Sequence, residues 1–412
     1  MNVPGRDLAR HSDRPDGTDY PRVGLIGAGH LVNDMYGNFI TSLMPYLVLR
    51  GAISTTIAGM VLLVYLVGSS VMQPVFGLLS DRTGRRWFAV TGALWLGMAA
   101  SLVGWVDNPA LLLALVGLGG LGTAAFHPQG ATMIDAISPT NKGRAMALFA
   151  MGGNVGFAIG PLIAAAIATA GLHWSPIILV PGVFLTLALA RFAPHPGHSN
   201  ESIGIRELCS TVGRTWHALT LIVAIIAIRS AAQYVLIIFL PLYYHLRGFP
   251  AELGSYDAVG LSLTGALGGL AGGHLSDVYG RRPVVVASLL ISAPLLTVAL
   301  LVPAPLVWPL IALSGATLLA SNSVTVVQGQ ELLPRSRGLS SGLTLGLGFG
   351  LSGVVASGVT VLSDHIGVRE AIFAAPVLAL CAAVLAVFVQ GARSLAMAGE
   401  VIPYTTSARA AE

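Results

Sequence analysis

Charged residues are scarce in this sequence. Lys and Arg contribute 22 of the 412 residues and Asp and Glu 18, so charged side chains make up 10% of the chain. A typical globular protein has about 25%, and a soluble chain of this length needs that charge to cover its surface. The net charge is only +4, and the bases lie in short clusters between apolar runs, which argues against a nucleic-acid partner.

Cysteine is nearly absent, and the glycines show no regular periodicity. Cys209 and Cys381 are the two cysteines, and neither has a partner at the spacing of a metal site, so a disulfide-rich or zinc-stabilised fold is excluded. The 50 glycines follow no fixed repeat, which excludes a collagen-like chain. The hydrophobic content of 54% excludes an intrinsically disordered one. The class that remains is a polytopic membrane protein.

Apolar runs fill most of the chain, and each is long enough to cross a bilayer, which takes about 20 residues. We predict an all-α polytopic membrane protein with twelve transmembrane helices. The predicted spans are residues 22–48, 53–79, 87–106, 109–137, 145–172, 174–192, 216–246, 254–278, 284–302, 305–333, 339–363 and 367–391. Two six-helix bundles are predicted, at residues 22–192 and 216–391, and a central loop at 193–215 joins them. The predicted N-terminal tail is 1–21 and the predicted C-terminal tail is 392–412.

Basic residues indicate the orientation of these spans. If the N-terminal tail lies inside, the inner segments and their flanks hold 18 of the 22 Lys and Arg, whereas Arg50, Arg247 and Arg369 lie outside. The positive-inside rule then places both termini and the central loop in the cytoplasm. Residues 1–21 lack the apolar stretch of a signal peptide. We therefore expect a multi-pass protein of the inner or plasma membrane, and a monomer.

An internal repeat supports the division into halves. The segment Gly77-Leu-Leu-Ser-Asp-Arg-Thr-Gly-Arg-Arg86 follows the second predicted helix, and Gly273-His-Leu-Ser-Asp-Val-Tyr-Gly-Arg-Arg282 follows the eighth. This repeated motif resembles the loop signature of the major facilitator superfamily. The resemblance implies two pseudo-symmetric six-helix bundles around a central cavity that opens alternately to each side of the membrane.

Further motifs are similar to the fosmidomycin-resistance group of drug exporters within that superfamily. They are the segments 29–35 (GHLVNDM), 122–128 (GTAAFHP), 152–161 (GGNVGFAIGP) and 330–334 (QELLP). The glycines and proline of 156–161 also resemble a motif that marks antiporters. One position departs from the group, since Gln129 stands where its members usually have Glu. A proton-carrying role of that Glu therefore does not transfer to this chain.

Ionisable residues inside the predicted spans are the candidates for proton coupling, because charge at membrane depth is costly and mostly functional. Asp34 lies near the middle of the first span with His30 one turn before it, on a polar face, and His127 lies in the fourth span. A static ion pair of Asp34 with Arg229 or a histidine is the alternative, as is a purely structural His127 beside the kink at Pro128. We predict no metal site, because His30 and Asp34 lack a third ligand in the sequence, and no cofactor besides protons as the coupling ion.

Arg229 is the candidate for substrate recognition. It is the only base of the sequence that lies well inside a predicted span. A guanidinium binds carboxylates and phosphonates through paired hydrogen bonds. The alternative is a counter-ion for Asp34. The other predicted substrate contacts are polar residues of the spans, for each of which an interhelical hydrogen bond is the alternative: Gln233, Gln129, Tyr65, Gln73, Asn154 and Asn322.

The repeated loop motifs are predicted to gate the cytoplasmic side. An acid after the second or eighth helix can meet the positive N-terminal end of a neighbouring helix, and the motif arginines can reach acids at the inner ends of the fourth and tenth helices. The predicted gating residues are Asp81, Arg85, Asp135, Asp277, Arg281 and Glu331.

These features together predict a transporter. The sequence contains no phosphate-binding loop, nucleophile elbow or zinc-protease helix, so we expect no catalytic residues and no enzyme. The resemblance implies multidrug efflux and antibiotic resistance by a drug/proton antiporter, which exports small anionic or amphiphilic compounds of the fosmidomycin-like phosphonate class by alternating access. A proton-coupled symporter that imports a small organic or phosphorus-containing anion is the alternative. The expected partners are the small-molecule substrate and the lipid bilayer.

Overall fold

Long helices account for nearly all of the structure. The computed structural model describes residues 17–194, 205–249, 251–303 and 306–390. Most of the two predicted tails and the middle of the predicted central loop lie outside these residues. The described part contains no strand, and its helices group into twelve segments: α1 Tyr20–Leu49, α2 Thr56–Thr83, α3 Trp87–Trp105, α4 Pro109–Ala136, α5 Lys142–Ala170, α6 Leu172–Phe192, α7 Ile205–Leu246, α8 Ala251–Tyr279, α9 Arg281–Leu301, α10 Val307–Leu332, α11 Arg337–Ile366 and α12 Val368–Val387.

Ten of the twelve described segments are long and apolar enough to cross a membrane, so the chain is a multi-pass membrane protein. Helices suit this environment because their backbone groups are satisfied internally, where lipid offers no hydrogen bonds. The other two, α1 and α8, have comparable lengths of 30 and 29 residues but more polar sequences. They carry His30, Asp34, Asp257 and Asp277.

Local sequence explains where several helices begin and end. The carboxylate of Asp19 accepts the backbone N–H of Arg22 at the start of α1, and Asn108 accepts two N–H groups at the start of α4. Such caps satisfy donors that the first turn leaves without partners. Gly84 ends α2 with a positive φ of 58°, a conformation that glycine adopts without steric strain. Helix bounds agree with the predicted spans within a few residues, except that α7 extends into the predicted loop as far as residue 205.

The buried apolar side chains form two clusters. The members of one lie between residues 23 and 193, together with Val326 and Val327, and the members of the other lie between residues 218 and 389. The two halves meet along α2 against α11 and α5 against α8. A Cβ added at Gly77 would overlap the carbonyl of Gly338, and one at Gly143 would overlap that of Gly273. Glycine at these points therefore allows the backbones of the two halves to touch.

The outer surface of the described residues is apolar, as lipid contact requires. Leu162, Phe184 and Leu267 expose about two thirds or more of their surface. Trp87 and Trp105 lie at the two ends of α3 and are likewise exposed. Tryptophan favours the two membrane interfaces, so its position at both ends agrees with a helix that crosses the bilayer.

Candidate functional site

A cavity of about 230 Å³ lies between the two halves of the structure. Helices α1, α2, α4 and α5 line it on one side, and α7, α8, α10 and α11 line it on the other. Eight of the sequence-predicted site residues are in this lining: His30, Asp34, Tyr65, Gln73, His127, Asn154, Gln233 and Asn322. Residues far apart in sequence are thus brought together at one polar cavity.

Asp34 forms a cluster with two histidines on the first wall. Its Oδ2 lies 3.2 Å from Nε2 of His30, and its Oδ1 lies 3.0 Å from Nε2 of His127. The amide of Asn33 donates to the same Oδ1 at 3.2 Å. The side chain of Asp34 remains 22% exposed towards the cavity. In this structure Asp34 pairs with the two histidines and not with Arg229, so of the two static pairings considered from the sequence, the one with a histidine stays open.

Each histidine of this cluster is held by a second contact. Nδ1 of His30 lies 2.8 Å from the carbonyl oxygen of Phe149, whose ring stacks on the imidazole at a centroid distance of 4.2 Å. Nδ1 of His127 lies 3.3 Å from the amide nitrogen of Gln73. Both rings are therefore fixed in orientation by neighbours on α5 and α2.

The cluster also has the spacing of a metal site, because its three ligand atoms lie within 4.8 Å of one another. The sequence did not reveal the third ligand, since His127 is 93 residues away from Asp34. Ligation requires a free lone pair on each nitrogen. The Gln73 amide donates to Nδ1 of His127, so Nε2 of this ring carries the hydrogen that Asp34 accepts. The observed arrangement suits a proton better than a metal ion.

Arg229 lies behind the opposite wall of the cavity. Its side chain is fully buried, and Nη2 donates to Ser230 and to Asn322 at 2.8 and 3.1 Å. Nε and Nη1 have no hydrogen-bond partner, and no carboxylate among the described residues pairs with the guanidinium. Asn322 and Phe349, which contact Arg229, both line the cavity. A buried cation without a counter-ion is unfavourable, so an anion is the group that this position lacks.

The two repeated loop motifs make equivalent contacts across the halves. The carboxylate of Asp81 accepts the N–H groups of Gly338 and Leu339 at 2.8 and 2.9 Å, at the start of α11. The carboxylate of Asp277 accepts those of Gly143 and Arg144 at 2.9 and 3.0 Å, at the start of α5. Each acid thus caps a helix of the other half, where the helix dipole favours negative charge.

Further ion pairs surround these caps. Arg281 contacts Asp277 at 2.6 Å and Glu331 at 3.1 Å. Asp135 pairs with Lys142 and with Arg337, and Arg85, the expected partner of Asp135, is exposed and does not reach it. The reason is that α11 brings Arg337 across from the other half, to a position that sequence separation could not reveal. The caps and ion pairs close one side of the cavity.

The sequence matches the family model of the Major Facilitator Superfamily over residues 26–357. The chain belongs to the Major Facilitator Superfamily. It is similar to the uncharacterized MFS-type transporter YfnC of Bacillus subtilis, with 33% identity over 90% of this chain and 94% of that protein. It is also similar to the fosmidomycin resistance protein of Escherichia coli, with 27% identity over 85% and 88% of the two chains.

A solved structure with the same fold is the fucose:proton symporter FucP of Escherichia coli. The TM-score is 0.72 at 15% identity, over 90% of this chain and 98% of that one. At this identity the likeness concerns the fold alone. The family match and the relatives make the chain a transporter of this superfamily, and not an enzyme.

Gln129 is one predicted substrate contact of this superfamily member that does not line the cavity. It is fully buried within the first half. Its oxygen accepts the backbone N–H of Ala89 at 2.6 Å, and its nitrogen donates to Ser80 at 3.0 Å and to the carbonyl of Arg85. Its oxygen and its nitrogen both connect α4 with the ends of α2 and α3.

Several site residues were missed from the sequence. Asn33, Thr123, Tyr234 and Ser262 line the cavity or contact its histidines. Asn33 was within reach, because it directly precedes Asp34 in a motif already singled out. The carbonyl of Phe149 could not be found, since any residue type offers the same acceptor and only the packing of α5 on α1 brings it to His30.

Proposed function

We propose that this superfamily member is a proton-coupled antiporter that exports small anionic compounds by alternating access. The observation that carries the proposal is the chemistry around the cavity, where a carboxylate between two histidines lies on one wall and a buried guanidinium without a counter-ion lies behind the other. The proton and the anionic group of the substrate thereby have separate binding groups. The drug-resistance name of the Escherichia coli relative supports the same class of substrate.

Arg229 is the proposed site for the anionic group of the substrate. Its Nε and Nη1 are the two nitrogens without partners, and each can donate to an oxygen of a carboxylate or phosphonate. Binding requires Asn322 or Phe349, which lie between Arg229 and the cavity, to shift aside. Gln233 and Tyr234 line the adjacent wall.

Exchange of an anion for a proton needs a physical reason, because a proton at Asp34 makes the cavity more positive and favours the anion. Competition supplies that reason when the substrate also carries a hydrogen-bond donor. Deprotonated Asp34 accepts such a donor, whereas the protonated cluster does not. We therefore propose substrates with an anionic end for Arg229 and a hydroxyl or amide donor for Asp34, which includes phosphonates and amphiphilic compounds.

Alternating access is assigned to the contacts between halves. The caps at Asp81 and Asp277 hold one side of the cavity closed, and their rupture opens it. We propose that this is the cytoplasmic side, that α1 and α8 complete a set of twelve membrane spans, and that a monomer works in the inner or plasma membrane. The density of basic residues at the same loops supports this orientation.

Proteoliposomes test the proposal directly. Purified protein is reconstituted with a pH-sensitive dye inside the vesicles, and phosphonates such as fosmidomycin, simple carboxylates, and neutral and cationic compounds are added in turn. An acidic lumen should drive accumulation of the anionic compounds while protons leave. Substrate movement that does not depend on the pH gradient would contradict proton coupling.

Import by symport is the second candidate, and the charge balance favours it for one class of substrate. An anion without a donor group binds Arg229 more tightly when the Asp34 cluster holds its proton, so both would move together. In the same vesicles an acidic exterior would then drive uptake. The direction of the gradient that drives accumulation therefore separates the two functions.

A further inference from the structure

The hydrogen atoms of the Asp34 cluster can be assigned from its backbone contacts, beginning with His30. Nδ1 of this ring lies 2.8 Å from the carbonyl oxygen of Phe149. A carbonyl only accepts, so Nδ1 carries a hydrogen. The stacked ring of Phe149 prevents the imidazole from turning. Nε2 of His30, which lies 3.2 Å from Oδ2 of Asp34, therefore presents a lone pair unless a second proton is bound.

The same reasoning gives the opposite tautomer for His127. The amide nitrogen of Gln73 donates to the carbonyl of Ser69 at 2.8 Å, which fixes the orientation of the amide. This nitrogen also lies 3.3 Å from Nδ1 of His127, so Nδ1 accepts. Nε2 then carries the hydrogen and donates to Oδ1 of Asp34 at 3.0 Å. The amide nitrogen of Asn33 also lies 3.4 Å from this Nε2, but its two hydrogens are donated to Oδ1 of Asp34 and to Oγ1 of Thr123. A proton on Nδ1 would face the N–H group of Gln73, which keeps this ring neutral.

The two carboxylate oxygens of Asp34 consequently differ. Oδ1 has donors from His127 and Asn33. Oδ2 faces Nε2 of His30, and without a further proton a lone pair would oppose a negative oxygen at 3.2 Å. One added proton relieves this repulsion, as either a N–H donor on His30 or an O–H donor on Asp34.

We propose that the coupling proton is shared between Nε2 of His30 and Oδ2 of Asp34, and that His127 is a neutral positioning residue. The inference rests on the proposed proton coupling and assigns its site. When the proton leaves, Oδ2 and Nε2 become two adjacent acceptors that open onto the cavity. They attract the donor group of the substrate, and substrate and proton thus compete for the same two atoms.

The surroundings of the pair contain few other titratable groups. Helices α2 and α4 present Tyr65 and His127, and Tyr65 lies 3.4 Å from Thr123. Across the cavity α7 presents Tyr234 and, behind the wall, Arg229. Among the described residues, α3 has no ionisable side chain, and those of α5 and α6 lie at the helix ends. With His127 neutral, a pH response of the cavity belongs to His30 and Asp34.

Nuclear magnetic resonance of the full-length protein in detergent, labelled with ¹⁵N-histidine, tests the assignment without transport. Difference spectra against His30→Gln and His127→Gln identify the two rings. The matched control is His173→Gln, since His173 lies at the start of α6 and does not line the cavity. We expect His127 to keep the neutral Nε2–H form from pH 5 to pH 9. The His30 signals should change with pH in the wild type and change differently in Asp34→Asn.

Variants add a second measurement. Gln73→Leu removes the donor to Nδ1, so His127 should become able to bind a proton at low pH. In proteoliposomes His127→Gln, which retains a donor for Asp34 and an acceptor for Gln73, should keep the proton-to-substrate ratio at a reduced rate. His30→Gln should lower pH-driven accumulation at least tenfold.

Specific outcomes overturn the assignment. An imidazolium signal at His127 in the wild type, or a His30 that is unaffected by pH, would place the proton elsewhere. Full coupling in His30→Gln together with its loss in His127→Gln would do the same. Wild-type protein that moves substrate without protons would instead contradict the proposed function, which the spectra do not test.

Discussion

The two halves of this transporter are alike at the closed end of the cavity and unlike at its walls. At the closed end, Asp81 and Asp277 each cap a helix of the opposite half with nearly the same distances. At the walls, the first half presents a carboxylate between histidines, and the second holds Arg229 behind Asn322 and Phe349. The repeat offset of 196 residues aligns Asp34 with position 230, directly beside Arg229. Position 230 is Ser230, so the two opposite charges lie one position apart in the aligned repeat.

We propose that this difference separates two tasks. A movement that opens and closes the cavity needs the same contacts broken and remade in both halves, which a symmetric pair of caps provides. Recognition and coupling need chemically distinct sites, and these arise where the repeat has diverged. The Asp34 cluster is satisfied by its own half, whereas Arg229 has donors left for a ligand.

Removal of the carboxylate from the first wall should have the largest effect. We expect Asp34→Asn to reduce pH-driven transport to the level of empty liposomes, because the amide cannot share a proton with His30, while the protein stays folded. The measurement is substrate accumulation under an imposed pH gradient. Asp257→Asn is the matched control, since Asp257 is a buried acid that accepts a hydrogen bond from Tyr244 outside the cavity. Wild-type accumulation in Asp34→Asn would remove the functional contrast between the halves.

Removal of Arg229, the cation behind the second wall, should have the second-largest effect. Arg229→Gln should weaken binding of anionic compounds by about 2–5 kcal/mol, roughly thirtyfold or more, and affect neutral compounds far less. The melting temperature should stay level or rise, because no ion pair within the protein is broken. Calorimetric binding and thermal unfolding provide the two readouts. Arg247→Gln is the control, since Arg247 donates to the carbonyl of Val302 away from the cavity. An equal loss for every compound with a lower melting temperature would indicate a structural arginine.

The symmetric caps should show a smaller effect, equal in the two halves. Asp81→Asn and Asp277→Asn each remove a charge from a helix N-terminus, worth about 0.3–1 kcal/mol and up to ~2 when partly buried. The open population should rise about two- to fivefold, and up to about thirtyfold at the upper limit, since 1.4 kcal/mol corresponds to a factor of ten. A buried reporter, Ser340→Cys beside the first cap, should react faster with a thiol reagent. The background lacks Cys209 and Cys381, which are exposed.

Ligand affinity provides the check on this interpretation. A compound that binds the open and closed states equally should keep its affinity in both cap variants. Asp364→Asn, an exposed acid at the other end of α11, should leave the labelling rate unchanged. Unaltered labelling with collapsed affinity would assign Asp81 and Asp277 to the substrate path instead.

The smallest effect on transport is expected inside the first half, at Gln129. In Gln129→Glu an ionised carboxylate would face the carbonyl of Arg85, which now accepts from the amide, so only the protonated form can preserve that contact. The variant should fold and transport, but its melting temperature should fall as the pH rises from 5 to 8, by an amount equivalent to about 1–3 kcal/mol. Gln129→Leu separates lost hydrogen bonds from charge, because its loss should not vary with pH.

The sequence by itself determined the class of the protein, its helices and its family. Low charge and long apolar runs leave no soluble fold, and the helix bounds follow from apolar length together with caps such as Asn108 and Gly84. The repeated loop motif also revealed Asp81 and Asp277 as acids near helix starts. These are local properties, because the residues that decide them are neighbours along the chain.

Only the tertiary structure decided which of the polar residues act together. Helix packing brings His127 to Asp34 and the carbonyl of Phe149 to His30, gives Asp135 the partner Arg337 in place of Arg85, and withdraws Gln129 from the cavity. It also leaves Arg229 without a carboxylate. Hydrogen bonds and ion pairs act over about 3–4 Å, and whether two side chains come that close depends on the packing of helices distant in sequence.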